Sequence, residues 1–280
     1  MADLGAAQFR TFFVELWEFD PFPWQAALAE RVLTRADAPW PEAIAVPTAS
    51  GKTACLDIAV FALAASAGQH AASPRRIWFV VDRRVIVDEA HERARHLCSL
   101  LREAKEGVVL EVADRLRELS GGGPPLLAHL LRGGVYRDDA WARSPLQPAV
   151  ISSTVDQFGS RLLFRAYGRS PKAWPIQAGL AGNDSLVLLD EAHCARPFLD
   201  TLRAVGRYRT LAAEPLPVPF RAVILSATPP GDVEDRHDLD DADRGHPVLG
   251  PRLRASKPTK LLPPIGGKAG APALVETLAR

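Results

Sequence analysis

Two short groups of residues have the types and spacing needed for chemistry on a nucleoside triphosphate. Gly51, Lys52 and Thr53 follow an apolar run of strand character and open an apolar segment of helical period. Unpaired N–H groups at such a helix start bind anions, the lysine reaches the β- and γ-phosphates, and the threonine hydroxyl coordinates Mg²⁺. Asp190 and Glu191 end another apolar run, where burial does not favour two adjacent carboxylates. The two groups together predict a nucleotide site that uses Mg²⁺.

Each of the two carboxylates has a separate predicted task. Asp190 is expected to bind the Mg²⁺ that Thr53 also holds, and Glu191 to orient and polarise the water that attacks the γ-phosphate. His193, in the following turn, is expected to point toward whatever couples hydrolysis to movement. The alternative is that Asp190 and Glu191 form the N-cap cluster of a helix.

The loop before Lys52 consists of small residues that are expected to bind the nucleotide: Thr48, Ala49, Ser50 and Gly51. The backbone N–H groups of residues 49–52 are expected to point at its phosphates. Val46 stands where the motif G-x-x-x-x-G-K-[ST] has its first glycine, so an ordinary helix start stays open for the loop alone. Gln25 lies one short helix earlier, and its amide is able to pair with N6 and N7 of adenine, which favours ATP. The alternative for Gln25 is a side chain that faces water.

A third strand ends in two hydroxyl residues, Ser226 and Thr228. Their hydroxyls are expected to hydrogen-bond the carboxylates and His193, in a small relay that senses the nucleotide. Alternatively they are turn residues before Pro229 and Pro230. Three chemical groups that each end a predicted strand are improbable as coincidence, which favours the nucleotide site.

The elements that must position these groups alternate along the chain. Strands are predicted at 43–47, 76–81, 149–153, 185–189 and 220–225, with a possible short strand at 108–112. Helices are predicted at 25–33, 54–67, from 82–84 to about 105, and from 154 to about 167, with a helical turn at 126–131. This alternation predicts an α/β fold with a mostly parallel sheet, helices on both faces and the ATP site at the carboxyl ends of the strands.

Other residues at predicted strand ends are candidates for contact with nucleic acid. Arg83 and Arg84 are placed to grip a phosphodiester backbone, although they could be solvated charges at a helix start. Gly133 and Gly134 either cap a helix or let a nucleic-acid backbone approach closely. Thr154 is predicted to be a helix N-cap whose hydroxyl could also bond a phosphate.

The bulk composition is that of a soluble globular protein. In 280 residues, 47% are hydrophobic and 24% charged, and the net charge is +1, so nucleic-acid binding must depend on local arginines and lysines. The three cysteines have no metal-ligand spacing, which favours a reduced protein. The sequence shows no basic segment followed by an apolar one, as a secretory signal would have, and no apolar run long enough to span a bilayer. We therefore expect a cytoplasmic protein without a membrane partner.

These residues resemble a DExH-box helicase of superfamily 2. Gln25 and residues 47–53, 190–193 and 226–228 are similar to the family's Q-type motif and motifs I, II and III, and residues 81–84, 133–134 and 154–157 are similar to motifs Ia, Ib and Ic. The resemblance covers residues 20–230. It implies a RecA-like P-loop NTPase domain, the first of two helicase motor domains, and ATP-driven movement on a nucleic-acid strand.

Within the superfamily, residues 21–25, 79–84, 153–163 and 189–193 are similar to the CRISPR-associated helicase-nuclease of type I systems, in particular its I-U (also called I-G) branch. The resemblance implies translocation on single-stranded DNA after recruitment by a guide-RNA surveillance complex, and degradation of invading DNA by a metal-dependent HD nuclease. The alternatives are the motor subunit of a restriction enzyme, another superfamily 2 helicase, or a non-catalytic nucleotide-binding fragment.

The chain departs from that family in several places. Ala49 stands where the family's loop usually has glycine, and Asp88 where many relatives have glutamine. The second RecA-like domain with its arginine fingers and the HD nuclease ligands are not found, so the 280 residues alone are expected to be inactive.

Three segments follow from this comparison: residues 1–35 with N-terminal helices and the adenine-side glutamine, residues 36–235 as the first RecA-like domain, and residues 236–280 as a linker that leads into the second. His237 and Asp238 are expected to be part of that solvated linker and not a nuclease site.

Overall fold

Seven parallel strands form one sheet in the part of the chain that the computed structural model describes, which is residues 4–35, 38–68, 73–134, 139–214 and 216–255. The strands are β1 (Ala43–Ala45), β2 (Arg76–Val80), β3 (Leu127–Leu131), β4 (Ala149–Ser153), β5 (Ser185–Asp190), β6 (Phe220–Leu225) and β7 (Arg236–Asp238). Their order across the sheet is β3-β4-β2-β5-β6-β1-β7, and every neighbouring pair is parallel. The predicted RecA-like α/β fold is therefore confirmed.

Helices cover both faces of this sheet. They are α1 (Ala6–Trp17), α2 (Pro23–Thr34), α3 (Cys55–Ala65), α4 (Arg84–Glu103), α5 (Gly107–Leu119), α6 (Val155–Leu162), α7 (Trp174–Gly182), α8 (Arg196–Arg209), α9 (Asp241–Gly245) and α10 (Leu249–Arg254). Helices α1 to α5 share a buried apolar cluster with Ile77 and Phe79, whereas α6 to α8 share another with Trp78 and Val80. Successive side chains of a strand point to opposite faces, so β2 is the common wall of two cores.

Buried apolar strands explain why the carboxyl edge of the sheet is well defined. All residues of β2, β4 and β5 are buried, as expected for central parallel strands covered on both faces. The helix after β1 is also surrounded, with ten consecutive buried residues from Cys55 to Ala64. The loop between β1 and α3 is consequently held between two elements of the core.

One expected strand is a helix. Residues 108–112 belong to α5, although their β-branched residues suggested a strand. The buried side chains Val109, Val112, Ala113 and Leu116 recur at helical spacing and pack beneath α1 and α3. Tertiary packing of one helical face therefore overrides local β-propensity here.

The expected helical turn at 126–131 is a strand. Leu127–Leu131 pairs in parallel with Ala149–Ser153 along its whole length. A run of six residues, five of them apolar, is too short to show a period, so the hydrogen-bond ladder with β4 decides its conformation. Gly133 and Gly134 consequently follow a strand, and the interpretation of this pair as a helix cap is wrong.

The expectation of a solvated linker at His237 and Asp238 is also wrong. Arg236–Asp238 forms β7 and pairs with β1, and the helices α9 and α10 follow it. The ring of His237 contacts the carbonyl oxygen of Trp24 through Nε2 at 2.9 Å. The division of the chain at residues 35 and 235 stays a prediction, and residues 256–280 lie outside the described residues.

Among the described residues, no helix has the length and apolar character needed to cross a membrane. The three cysteines are unpaired; Cys55 and Cys98 are buried and Cys194 is exposed. Burial raises the pKa of the Cys98 thiol to about 12. The described residues hold no group of three or more His, Cys, Asp or Glu that could bind a metal by itself.

Candidate functional site

The loop between β1 and α3 has the tight backbone that a phosphate loop needs. Ala49 and Gly51 both have positive φ, at 65° and 78°. At Gly51 a Cβ atom would lie 2.8 Å from Nε2 of Gln25, so this position requires glycine for its conformation and for space. Ala49 adopts the left-handed region without that freedom, which is a local strain at the predicted site.

Helix α2 holds this loop by two side chains. The indole Nε1 of Trp24 donates to the carbonyl oxygen of Ser50 at 3.1 Å, and Nε2 of Gln25 donates to that of Gly51 at 3.0 Å. The other amide atom of Gln25, Oε1, accepts from the backbone N–H of Phe22 at 2.8 Å. Gln25 is 3% exposed, so the alternative of a water-facing side chain is wrong, while its pairing with adenine stays a prediction.

The structure brings Lys52 and Asp190 together. Nζ of Lys52 lies 2.6 Å from Oδ1 of Asp190, and the two side chains are 11% and 7% exposed. The same Oδ1 accepts the backbone N–H of Glu191 at 2.9 Å. The cation of the loop and the first carboxylate therefore meet at the carboxyl edge of the sheet, as the sequence predicted for one phosphate and metal site.

Glu191 turns away from Asp190 because its backbone is left-handed, with φ of 52°. Its N–H also donates to the carbonyl oxygen of Leu225 at 3.1 Å, which joins the ends of β5 and β6. The carboxylate contacts the guanidinium of Arg83, with Nε of Arg83 3.2 Å from Oε2 of Glu191. A residue predicted to bind nucleic acid thus pairs with the residue predicted to orient the attacking water.

The hydroxyl residues at the end of β6 make a turn of their own. Ser226 accepts the backbone N–H of Thr228 through its hydroxyl at 3.2 Å, and its own N–H donates to Ile44 at the end of β1. Ser226 is buried, whereas Thr228 and His193 are exposed. The expected relay from these hydroxyls to the carboxylates and His193 stays a prediction.

The oxygen donors of this edge fit Mg²⁺. The hydroxyl of Thr53 and the carboxylate of Asp190 are the hard oxygen ligands that this ion prefers. The described residues offer no protein-only metal cage. A protein that binds Mg²⁺ through one carboxylate, one hydroxyl and the phosphates of a nucleotide needs no such cage.

The predicted nucleotide and nucleic-acid residues lie on adjacent halves of one sheet edge. The phosphate loop, Asp190 and Ser226 follow β1, β5 and β6, which are near neighbours in the sheet. Arg83 and Arg84 follow β2, and the predicted residues Gly133, Gly134 and Thr154 follow β3 and β4. The pair of Arg83 and Glu191 lies at the boundary between the halves.

The half that carries the predicted nucleic-acid residues also has contacts of its own. A Cβ atom at Gly133 would lie 3.3 Å from Nη2 of Arg84, so this glycine lets the arginine lie against the loop after β3. Thr154 stands at the N-cap position of α6 and is 8% exposed. Arg132, which the sequence analysis did not select, is at the same edge and pairs with Asp88 at 2.6 Å.

The sequence analysis also missed a buried ion pair behind the loop. Asp57 of α3 is fully buried, and its Oδ2 accepts from Nε and Nη2 of Arg93 of α4 at 2.9 Å and 2.7 Å. Trp17 donates to Oδ1 of the same carboxylate and lies under the guanidinium. Burial raises the pKa of Asp57, and the charge of Arg93 acts against that shift. A lone aspartate within an apolar helix was the signal in the sequence.

Comparison with solved structures identifies a helicase with the same fold. The chain aligns with the crystal structure of the DUF1998 helicase MrfA bound to DNA and AMPPNP, with a TM-score of 0.51 and 11% sequence identity. The alignment covers 86% of this chain and 30% of the MrfA chain. At this identity the likeness shows the fold. Comparisons with family models and with curated proteins found no match.

Proposed function

We propose that this chain is the ATP-binding motor domain of a superfamily 2 DNA helicase or translocase, in which ATP hydrolysis with Mg²⁺ drives movement on single-stranded DNA. The observation that carries the proposal is the ion pair of Lys52 and Asp190 at the carboxyl edge of the sheet. It brings the cation of a phosphate loop and a carboxylate from another strand to one point, as a P-loop NTPase requires. The fold shared with MrfA, whose structure contains DNA and AMPPNP, supports it.

Each residue at this edge has a task in the proposed reaction. Lys52 and the N–H groups of residues 49–52 bind the phosphates, and Thr53 and Asp190 would hold Mg²⁺, whose charge would screen that of the transferring phosphoryl group. Glu191 orients the attacking water and accepts its proton. The chain spans 30% of the length of the helicase that it matches, and we propose that a second RecA-like domain supplies the arginine that completes the site.

The contact of Arg83 with Glu191 suggests how DNA stimulates this reaction. The Arg83 side chain is 68% exposed and Glu191 is 16% exposed, so a phosphodiester reaches the arginine from solvent. A DNA phosphate that binds Arg83 removes the cation from Glu191, because the two anions compete for one guanidinium. Glu191 is then free to act on water. Strand binding on one half of the edge therefore activates the other half.

Equilibrium binding to the 280-residue chain tests the proposal. The probes are a fluorescent ATP analogue with Mg²⁺ and a labelled single-stranded DNA, each titrated with the wild-type chain and with variants. Lys52→Ala should abolish nucleotide binding and keep DNA binding, whereas the double change of Arg83 and Arg84 to alanine should do the opposite. Lys172→Ala and Arg207→Ala, on exposed sites elsewhere, are the matched controls.

The Lys52→Ala variant tests the nucleotide site, and the arginine variant tests the DNA contact. If the Lys52→Ala chain binds the ATP analogue as tightly as wild type, the nucleotide site is elsewhere and the motor proposal fails. DNA affinity should fall with added salt in wild type and less so in the arginine variant, because phosphate contacts release counterions. ATP turnover by the 280 residues alone should be close to background.

We further propose that the motor serves CRISPR type I interference and is recruited by a guide-RNA surveillance complex. The support is that the short sequence segments around Gln25, Arg83, Thr154 and Asp190 are similar to those of the CRISPR-associated helicase-nuclease of type I systems. The alternative is the motor of a restriction enzyme. ATP turnover of the intact gene product should rise with DNA-bound surveillance complex from the same genome; a rise only with DNA that carries a restriction site would favour the alternative.

A further inference from the structure

A groove of about 310 Å³ runs between α8 and β6, on the face of the sheet that α6 to α8 cover. Apolar residues of both elements form its walls: Leu199, Leu202, Phe220, Ala222 and Ile224. The wall that α8 contributes extends from Leu199 to Arg207, which is about 12 Å at the rise of an α-helix. The groove is therefore long enough to take roughly two turns of another helix.

Strand β6 is incompletely covered at this groove. Phe220 and Ala222 are half-buried, whereas all residues of the central strands β2, β4 and β5 are buried. Both side chains belong to the α8 face, since Val223 and Leu225 lie in the core of the opposite face. Parallel strands normally have both faces covered. The groove is thus a place where a further element would complete the cover of the sheet.

The connection from α8 to β6 adds apolar surface at one end of the groove. Three exposed apolar side chains stand there: Tyr208, Leu211 and Leu216. Arg209 holds this end in place, because its guanidinium donates to the carbonyl oxygen of Gly182 at 2.9 Å and to that of Val218 at 2.5 Å. Clusters of exposed apolar side chains beside a groove are typical of protein–protein contact sites.

The charges around the groove are mainly positive. Three arginines and one glutamate line it: Glu42, Arg203, Arg207 and Arg221. Arg203 forms an exposed ion pair with Asp232, and the guanidinium of Arg207 lies 5.4 Å from the centre of the Tyr208 ring. Arginines at the rim of an apolar surface favour a partner that carries carboxylates. The groove therefore combines apolar walls with a basic rim.

This charge discriminates among the possible occupants. In a two-fold contact, a second copy of the chain would bring the same arginines face to face. Residues 256–280 contain four basic residues and one acidic residue, so their charge also opposes this site. A single-stranded nucleic acid binds through phosphates and stacked bases, for which aliphatic walls offer little. An acidic, apolar segment of another protein fits both the walls and the rim.

We propose that the groove between α8 and β6 is the docking site of a partner protein that presents an amphipathic helix, with apolar side chains in the groove and carboxylates opposite the arginines. Helices that dock in this way insert side chains at positions i, i+3, i+4 and i+7. The described residues that line the groove include none that we assign to the nucleotide or to DNA. The inference goes beyond the proposed function and does not depend on it.

Gly206 allows the groove to be filled without damage to the fold. It lies in α8 and lines the groove, and a Cβ atom added there would meet no atom of a neighbouring element within 4 Å. Glycine is unfavourable inside a helix, so Gly206→Phe should keep or raise the melting temperature. Gly179→Phe in α7 is the matched control, because Gly179 is a helical glycine with the same free space outside the groove.

Selection from a displayed library of random peptides of about 18 residues, roughly five helical turns, tests the inference. The immobilised target is the wild-type 280-residue chain, and soluble Gly206→Phe chain removes peptides that bind elsewhere. The selected peptides should be acidic, with apolar residues at helical spacing. In fluorescence anisotropy they should bind Gly206→Phe on the order of 10-fold more weakly than wild type or Gly179→Phe, because the phenyl group occupies the place of an apolar anchor.

A charge reversal tests the basic rim separately. Arg207→Glu should also weaken the binding of the selected peptides, whereas Arg143→Glu, at an exposed arginine outside the groove, should not. Selected peptides that are basic, or a library that yields no peptide able to distinguish wild type from Gly206→Phe, would overturn the inference.

Two further measurements detect a different occupant. A wild-type dimer that Gly206→Phe dissociates in sedimentation velocity would show that a second copy of the chain fills the groove. An affinity for labelled single-stranded DNA that falls in Gly206→Phe and not in Gly179→Phe would show that DNA fills it. Either result would replace the partner protein and overturn the inference.

Discussion

Nζ of Lys52 lies 2.6 Å from Oδ1 of Asp190, although β6 separates the strands β1 and β5 that these residues follow. The two side chains are the most direct connection between the phosphate loop and the predicted metal ligand. Both side chains are almost buried and have lost most of their hydration. The attraction between the two opposite charges compensates for that loss.

Removal of one partner of this pair should be costly. Lys52→Met leaves Asp190 as a buried charge without its cation, and we expect a loss of about 3 kcal/mol in the free energy of unfolding. The double variant Lys52→Met/Asp190→Asn should recover most of it, because no charge remains. Urea unfolding of wild type, both single variants and the double variant measures the coupling.

The exposed pair of Arg95 and Glu92 gives the control for this cycle. Arg95→Met should leave the free energy of unfolding nearly unchanged, since both side chains face water. A Lys52→Met chain as stable as wild type would contradict the ion pair as described.

Ala49→Gly should stabilise the protein. Ala49 has φ of 65°, where an L-residue with a Cβ atom is strained by roughly 1–2 kcal/mol, and the greater freedom of glycine in the unfolded chain offsets part of the gain. We expect a net increase of about 1 kcal/mol in the free energy of unfolding. The control is Ala27→Gly on the exposed face of α2, which should lower stability by a similar amount. Destabilisation by both changes would show that the loop is not strained.

Gln25→Glu should damage the phosphate loop although the change is nearly isosteric. The amide Nε2 donates to the carbonyl oxygen of Gly51, and a carboxylate oxygen in its place would repel that carbonyl. The expected loss is about 1–3 kcal/mol of stability together with weaker ATP binding. Thermal melting and nucleotide titration measure the two effects.

A second glutamine provides the comparison for this change. Gln8 on α1 uses only its oxygen, which accepts the N–H of Gly5 at 3.2 Å, so Gln8→Glu keeps the bond and should be neutral. Equal effects of the two substitutions would mean that the donor of Gln25 is unimportant.

His237 should make stability depend on pH. Burial lowers the pKa of His237 from 6.5, with Arg31 acting in the same direction and the Trp24 carbonyl, Asp243 and Asp238 acting against it. The unfolded chain therefore binds this proton more strongly, so the stabilising contribution is present above pH 6.5 and is lost as the pH falls through the folded pKa.

The variant His237→Gln tests this sign. Glutamine keeps a hydrogen-bond donor and does not titrate. Between pH 7.5 and pH 5, the free energy of unfolding should therefore fall less in the variant than in wild type, by about the contribution of one titrating group. Burial also lowers the pKa of His91, which is present in both chains and cancels in the difference. Parallel stability profiles for the two proteins would contradict the lowered pKa of the half-buried His237.

The meeting of Lys52 and Asp190 could be predicted from the sequence because both residues stand at strand ends. Lys52 and Asp190 each follow an apolar run, and parallel strands of one sheet bring their carboxyl ends to the same edge. The type of the short elements could not be predicted in the same way. Residues 108–112 and 126–131 are short, mostly apolar segments, and only their packing on α1 or pairing with β4 decides between helix and strand.

Strand β7 was missed for a different reason. β7 is an edge strand of three residues whose side chains include Arg236 and Asp238, so no apolar run marks it. Its position depends on pairing with β1 and on contacts with Trp24, more than 200 positions earlier in the chain. The polar composition of this segment suggested that it is solvated. Contacts with partners so distant in sequence leave no local pattern that would have corrected that prediction.

The double attachment of Trp24 joins parts of the chain that are far apart in sequence. Its side chain bonds to Ser50, but the partner of its backbone N–H, Asp243, lies 219 residues after it. The bond of Trp24 to the loop needs only the first 50 residues of the chain, whereas its bond to α9 needs Asp243. A chain cut before α9 would therefore keep the first attachment of Trp24 and lack the second.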